Sequence, residues 1–309
     1  MRARSYRDGF AFMSIDNSDK ENRAIIILNN KKQQEYIHYI NKNKIEKARI
    51  LLDNLEILNQ CKELKYLLIE PIDSAGDNFD FSPLYNLENV KLLRFKNIYG
   101  NKDRYSTTID LSRVKGLEDL VLDINKKTLN YNNIDTLKSL YVKGLKSNNL
   151  NELFTSKILD TLTILQCGIK SLDGIEITQN LTCLYLYYNR NLKDISSLIK
   201  NKKTLKALRI ENCPKIEDFS VLAELENLEL LELSGKNHLP NLNFLKKMKN
   251  LKTFVFNMYV DDGDLEQCKN LSYVYSEIDR KHYNVKDKDL PKGKYYRGNE
   301  DIDLWRRLE

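Results

Sequence analysis

The side chains best suited to acid–base or metal chemistry stand apart in this sequence. His38, His238 and His282 have no carboxylate or cysteine at ligand spacing, and neither a glycine-rich phosphate loop nor a GxSxG turn occurs. The five cysteines, Cys61, Cys167, Cys183, Cys213 and Cys268, are odd in number and widely separated, which fits neither a disulfide framework nor a CxxC metal site. Cys61 and Cys268 hold matching places in QCKELKYL and QCKNLSYV, so they read as small core hydrophobes. Cys183 differs and reads as a candidate reactive thiol, partly covered. The expectation is no enzyme, no cofactor and no metal. A different chemistry does recur. Residues 181–189, LTCLYLYYN, crowd three tyrosines between and just after three leucines. Tyrosine and arginine are the side chains that carry protein contacts, offering large area and a polar tip at low entropy cost.

Those tyrosines need elements to hold them. The frame LxxLxL recurs at Leu64, Val90, Leu117, Leu137, Leu159, Leu181, Leu205, Leu228, Leu251 and Leu271, with Ile45 as a degenerate first copy. The steps are 19, 26, 27, 20, 22, 22, 24, 23, 23 and 20 residues, so one supersecondary unit repeats eleven times. The fourth and sixth positions, such as Leu184/Leu186 and Phe254/Phe256, share one strand face by the period of two. No single unit can bury that face, so stacked parallel strands must. Triplets Asp80-Phe81-Ser82, Asp110-Leu111-Ser112, Asp194-Ile195-Ser196 and Asp218-Phe219-Ser220 precede the next strand and suit the cap of a short helix.

The motif stands as LxxLxLxxN in LTCLYLYYN and as LxxLxLxxC in LDTLTILQC and LKALRIENC, and in this it resembles the leucine-rich repeat family of the short, roughly 22-residue class. The resemblance implies an α/β solenoid: a horseshoe with a parallel sheet on the concave face, short helices or turns on the convex face, and terminal caps. We expect an N-terminal cap over 1–44 (strands at 10–16 and 23–29, then a helix near 34–40), eleven repeats over 45–277, and a closing cap over 278–309 in which Trp305 packs onto the last coil. The ninth frame position is Asn125, Cys167, Asn189 or Cys213 in four copies but Ile72, Leu145, Lys236 or Tyr259 elsewhere, so the polar ladder at that position should be interrupted.

In such a solenoid the third, fifth and seventh frame positions form the wall opposite the core. Arg49, Tyr66, Arg94, Asp119, Tyr141, Tyr185, Tyr187, Arg209, Glu211, Glu232, Tyr273 and Tyr275 fall there and are the candidate partner-binding residues. Tyr185 and Tyr187 are expected on an exposed ladder beside Tyr141. Lys47, Lys96 and Lys143 add positive charge, but Glu70, Asp123 and Glu277 help cancel it. A nucleic-acid groove should be one-signed and basic, so this mosaic points to a protein surface and not directly to nucleic acid. The two longest steps insert 71–79 and 97–109, which could form adjacent loops reaching a partner or simply be tolerated variation.

The 309 residues are 41% hydrophobic and 30% charged, with net charge +6 and mean hydropathy −0.54. No apolar run approaches a membrane span and no secretory signal follows the basic MRARSYRDGF, so a cytoplasmic protein is expected. The chain reads as repeats plus caps, which makes binding itself the activity. In that organisation it looks like the repeat-type immunity proteins of bacterial contact-dependent growth-inhibition toxins. That resemblance implies a monomer that pairs with an imported toxin domain, often an RNase. A scaffold that docks an enzyme without silencing it, and a translocated effector, are the competing readings.

Overall fold

The computed structural model describes residues 4–14, 23–70, 79–95, 108–124, 127–153 and 156–296. The insertions at 71–79 and 97–109 fall almost wholly outside the described residues, as do Lys96, Asn125 and Trp305. The chain divides into two compact units, one within Met1–Leu137 and one within Lys138–Glu300.

The first unit opens with an antiparallel pair, β1 (Arg4–Arg7) and β2 (Phe10–Ser14), followed by β3 (Arg23–Ile27) antiparallel to β2. Strand β1 was not anticipated. Its turn is Asp8-Gly9, both at positive φ (52° and 83°), the two-residue hairpin loop that matches strand twist. Helix α1 (Gln33–Lys42) buries Tyr36, Ile37, Tyr39 and Ile40 at helical spacing. Phe10 packs against Tyr39 with ring centroids 4.3 Å apart. After α1 the pairing becomes parallel: β4 (Lys47–Ile50), β5 (Tyr66–Ile69), β6 (Leu92–Phe95) and β8 (Asp119–Asp123) add in order, while β7 (Ile109–Asp110) pairs with β9 (Thr128–Leu129) on the return side.

The second unit is more regular. Strands β10 (Ser139–Lys143), β11 (Thr161–Leu165), β12 (Cys183–Tyr187), β13 (Ala207–Glu211), β14 (Leu230–Ser234), β16 (Thr253–Phe256) and β18 (Tyr273–Ser276) pair in parallel with frame positions aligned. A second short pair, β15 (His238–Leu239) and β17 (Tyr259–Val260), forms beyond the main strands. Fourth and sixth positions stack into one buried spine from Leu140/Val142 to Phe254/Phe256, whose two rings lie 4.8 Å apart. Each such leucine contributes about 1.5–3 kcal/mol of burial, so the strands are held by their neighbours and not by their own short length.

Two devices end the strands from β10 to β14. The eighth frame position takes the left-handed conformation in Gly144, Gln166, Tyr188, Asn212 and Gly235. At Gln166, Tyr188 and Asn212 the backbone N–H still donates to the next repeat (2.8–2.9 Å). Tyr188, the third tyrosine of LTCLYLYYN, is therefore a turn residue with its ring 40% exposed. The ninth position then turns inward. Asn189, fully buried, accepts from Cys167 N–H (2.9 Å) and donates to the Ile164 carbonyl (2.8 Å). Where Lys236 stands in the next such place but one, the interruption expected there is repaired one residue on. Asn237 is buried and donates to the Cys213 and Ile216 carbonyls (3.1 and 2.8 Å).

The Asp-x-Ser triplets act as Asx caps. Asp80, Asp110, Asp194 and Asp218 each accept from the serine N–H two residues on, at 2.8–3.1 Å, opening short 3-10 turns. Such bonds favour the ionised form, and the carboxyls of Asp110 and Asp218 are held below the usual range, as are those of Asp173 and Asp264. A depressed folded-state pKa contributes stability that is present above the unfolded value, about 3.9, and lost as pH falls through the folded value. The expected result is a urea midpoint that holds level from pH 8 to about 5 and drops steadily below about 4. A midpoint unchanged down to pH 3 would show that these caps carry none of the stability.

Candidate functional wall

The fifth frame positions of the second unit form a registered rung: Tyr141, Thr163, Tyr185, Arg209, Glu232, Val255 and Tyr275, each opposite the next across paired strands. Arg209 Nε lies 3.1 Å from Glu232 Oε2, and its guanidinium sits 5.0 Å from the Tyr185 ring centre. Tyr185 and Tyr187 stack on each other at 6.3 Å. Tyr187 faces Glu211 across the same strand pair.

The exposed ladder expected of these tyrosines is not what forms. Tyr185 is 3% exposed, Tyr187 7% and Arg209 5%, and burial pushes the Tyr185 phenol pKa well up. Only Tyr275, at 40%, is open; Tyr141, Glu211, Glu232 and Tyr273 are half-buried. Cys183, the candidate reactive thiol, is also buried, and all five cysteines are free and buried. The pKa values of Cys61 and Cys268 are pushed by burial to about 11 and about 12, which suits core hydrophobes.

Part of the cover is the chain's own C-terminal segment. Past β18 the backbone turns back: Val274 N–H donates to the Pro291 carbonyl (2.8 Å) and Gly293 N–H to the Ser272 carbonyl (3.0 Å). Lys292 then stands over the Tyr275 ring at 5.3 Å. Tyr295 meets Tyr273 edge-on at 5.2 Å and donates its phenol to Glu232, while Tyr296 N–H donates to Thr253 Oγ1 (2.9 Å). Lys252 lies over the Tyr296 ring at 5.1 Å. Within the span 278–309 read from sequence as a closing cap, Tyr283, Val285 and Leu290 are buried, and residues 291–296 run on across the wall. Its floor is the third-position row Thr161, Cys183, Ala207, Leu230 and Thr253, all small or apolar and all buried.

In the first unit, Arg49 donates to Glu70 through Nε (3.1 Å) and Nη2, with Met13 Sδ 3.6 Å from Nη1. Lys47 lies over the Tyr66 ring at 5.0 Å. Arg49 and Arg94 flank Leu68 on one rung, and Asp119 faces Leu92. Arg94 is 7% exposed, so it too is no open contact residue. Beside both walls the second frame position carries inter-repeat ion pairs: Lys65 with Glu46, Lys91 with Glu118, and Lys252 with Glu229. Within the charge mosaic itself, Arg49 pairs with Glu70 and Arg209 with Glu232.

One histidine does not stand apart. His238 Nδ1 lies 2.7 Å from Asp261 Oδ1, and the Tyr259 ring stacks between those of His238 and His282 at 4.8 Å on each side. The partners are one repeat away, 21 to 23 residues, a spacing beyond the reach of a local motif. Reading the ninth-position Tyr259 against its neighbours one period away would have found the stack.

No protein-family model matches the chain, and no curated protein matches it in sequence. Among solved structures it is similar to an internalin from Listeria monocytogenes, at TM-score 0.51 and 17% identity, covering 82% of this chain and 73% of that one. It is also similar to a leucine-rich repeat protein from Leptospira interrogans, at TM-score 0.49 and 18% identity, covering 75% of this chain and 59% of that one. Registered parallel strands, short 3-10 returns and buried ninth-position side chains make this an α/β leucine-rich repeat solenoid.

Proposed function

We propose that this protein works by binding another protein along its strand wall. Its partner in this reading is a bacterial toxin domain with nuclease activity, which the bound chain silences in the cytoplasm as a one-to-one complex. The observation that carries the reading is the rung Tyr141–Thr163–Tyr185–Arg209–Glu232–Val255–Tyr275, which sets tyrosine, arginine and carboxylate in strand register and is open at Tyr275 and half-buried at Tyr141 and Glu232. Rows of this composition suit a patterned protein surface, and paired charges of both signs do not suit a phosphate backbone. The resemblance of the repeat array to repeat-type immunity proteins is what suggests a toxin as that partner.

The test is capture with the tagged chain from its native host, followed by assay of the captured enzyme with and without the chain. Loss of enzyme activity in the complex supports inhibition; full activity in a stable complex replaces it with the scaffold reading. Tyr275 is open, so Tyr275→Ala should leave folding intact and weaken capture about tenfold, roughly 1.4 kcal/mol. Lys247→Ala, on an exposed return-side pair with Glu224 (3.5 Å), should leave it unchanged. The reverse pattern would move the binding face off the wall.

A further inference from the structure

We propose that residues 291–296 are a ligand the chain carries for its own wall, and that the partner docks by laying an extended segment bearing lysine and tyrosine along the same track, displacing them. This rests on the reading above, in which the wall of the second unit is the binding face. The track is built for a strand-like occupant. Its floor is the buried third-position row Cys183, Ala207, Leu230 and Thr253, small or apolar throughout. Its polar side groups already accept what such a segment offers: Thr253 Oγ1 takes a backbone N–H, Glu232 a phenol O–H, and the Tyr275 ring an ammonium. From Lys292 beside β18 to Tyr296 beside β16 the segment crosses strand by strand, and the Tyr295 ring reaches on to β14. Four residue steps carry the backbone across one strand interval of about 4.8 Å, which an extended chain at about 3.3 Å per residue covers with length to spare for the bend at Gly293.

The occupant is held by individually modest contacts. They are the backbone bonds from Val274 N–H to Pro291 and from Gly293 N–H to Ser272, the Tyr296 N–H bond to Thr253 Oγ1, the Tyr295 phenol on Glu232, the Lys292 ammonium on the Val274 carbonyl (2.8 Å) and Asp287 (2.7 Å), one edge-on ring pair and three cation–π contacts. A tethered segment nonetheless competes at an effective concentration of order millimolar, which sets the barrier a partner segment must exceed. Gly293 marks how closely the segment is seated, since a Cβ there would lie 2.7 Å from the Ser272 carbonyl oxygen. A side chain at that position must lift the segment from β18.

The experiment uses the full chain and a fluorescent peptide of residues 290–296. Against the parent chain the peptide should bind weakly. Against Tyr295→Ala/Tyr296→Ala, whose own segment has lost its anchors, it should bind at least tenfold more tightly, and a peptide carrying Tyr295→Ala should lose that gain. Gly293→Val gives an independent release and should show the same gain; circular dichroism and urea midpoints establish that each variant is folded. Equal binding to all three chains, or none to either folded variant, overturns the proposal and makes the segment a fixed part of the wall. Neither result touches the partner reading, which stands or falls on capture and its Tyr275 dependence.

Discussion

Arg209→Ala should destabilise the second unit by about 3 kcal/mol, a large loss for a residue on the face opposite the core. The guanidinium is 5% exposed, pairs with Glu232 at 3.1 Å and lies against Tyr185. Removing it leaves the Glu232 carboxylate under the C-terminal segment with its cation gone. Truncating one member of a buried pair costs about 3–5 kcal/mol, and the residual exposure of Glu232 places the effect at the lower end. The lost contact with the Tyr185 ring adds to it. Replacing both partners, as Arg209→Met/Glu232→Leu, should recover most of the loss, because no uncompensated charge remains. Urea denaturation of the two variants and the parent decides this. An Arg209→Ala chain within about 0.5 kcal/mol of the parent would mean that water reaches the pair freely and that the segment does not cover it.

Frame arithmetic placed Arg209, Tyr185 and Glu232 on one face, and strand pairing aligns them. Period alone suffices for that, because a parallel strand with a buried spine has only one register that keeps leucine under leucine. Exposure was not legible. It depends in part on the C-terminal segment, whose Tyr295 and Tyr296 meet the wall at Glu232 and Thr253 across 63 and 43 positions in sequence, outside any repeat period. The hairpin at Asp8-Gly9 was legible, because Asp-Gly between RSYR and FAFM is a local turn signal, though it lies outside the leucine frame. His238 and Asp261 were hidden for the opposite reason. Neither belongs to the leucine frame, so only the stacking of loops brings them together. Sequence period thus determines which residues share a row, while the contents of the returns and the terminal segment decide which rows meet solvent.

The ninth-position ladder tests that division at a single side chain. Asn189→Ala should cost about 3 kcal/mol or more, since it strands the Cys167 N–H and the Ile164 carbonyl in a fully buried place, at about 1–3 kcal/mol for each orphaned group. Asn189→Asp separates the two bonds. A carboxylate can still accept from Cys167 but cannot donate to Ile164, and its charge is opposed by burial and by the carbonyl dipole. That raises its folded-state pKa above the unfolded value. Its neutral form has the same donor–acceptor pair as the amide, so the variant should lie nearest the parent at low pH and fall further behind as pH rises. The sign is opposite to that of the capping aspartates, whose contribution disappears in acid. Urea midpoints of parent and variant at pH 4.5 and pH 8 read this directly. A gap that widens towards pH 8 assigns the ladder to paired donation and acceptance. A gap that is the same at both values would show that Asn189 fills space and that the repeats are joined by their leucines alone.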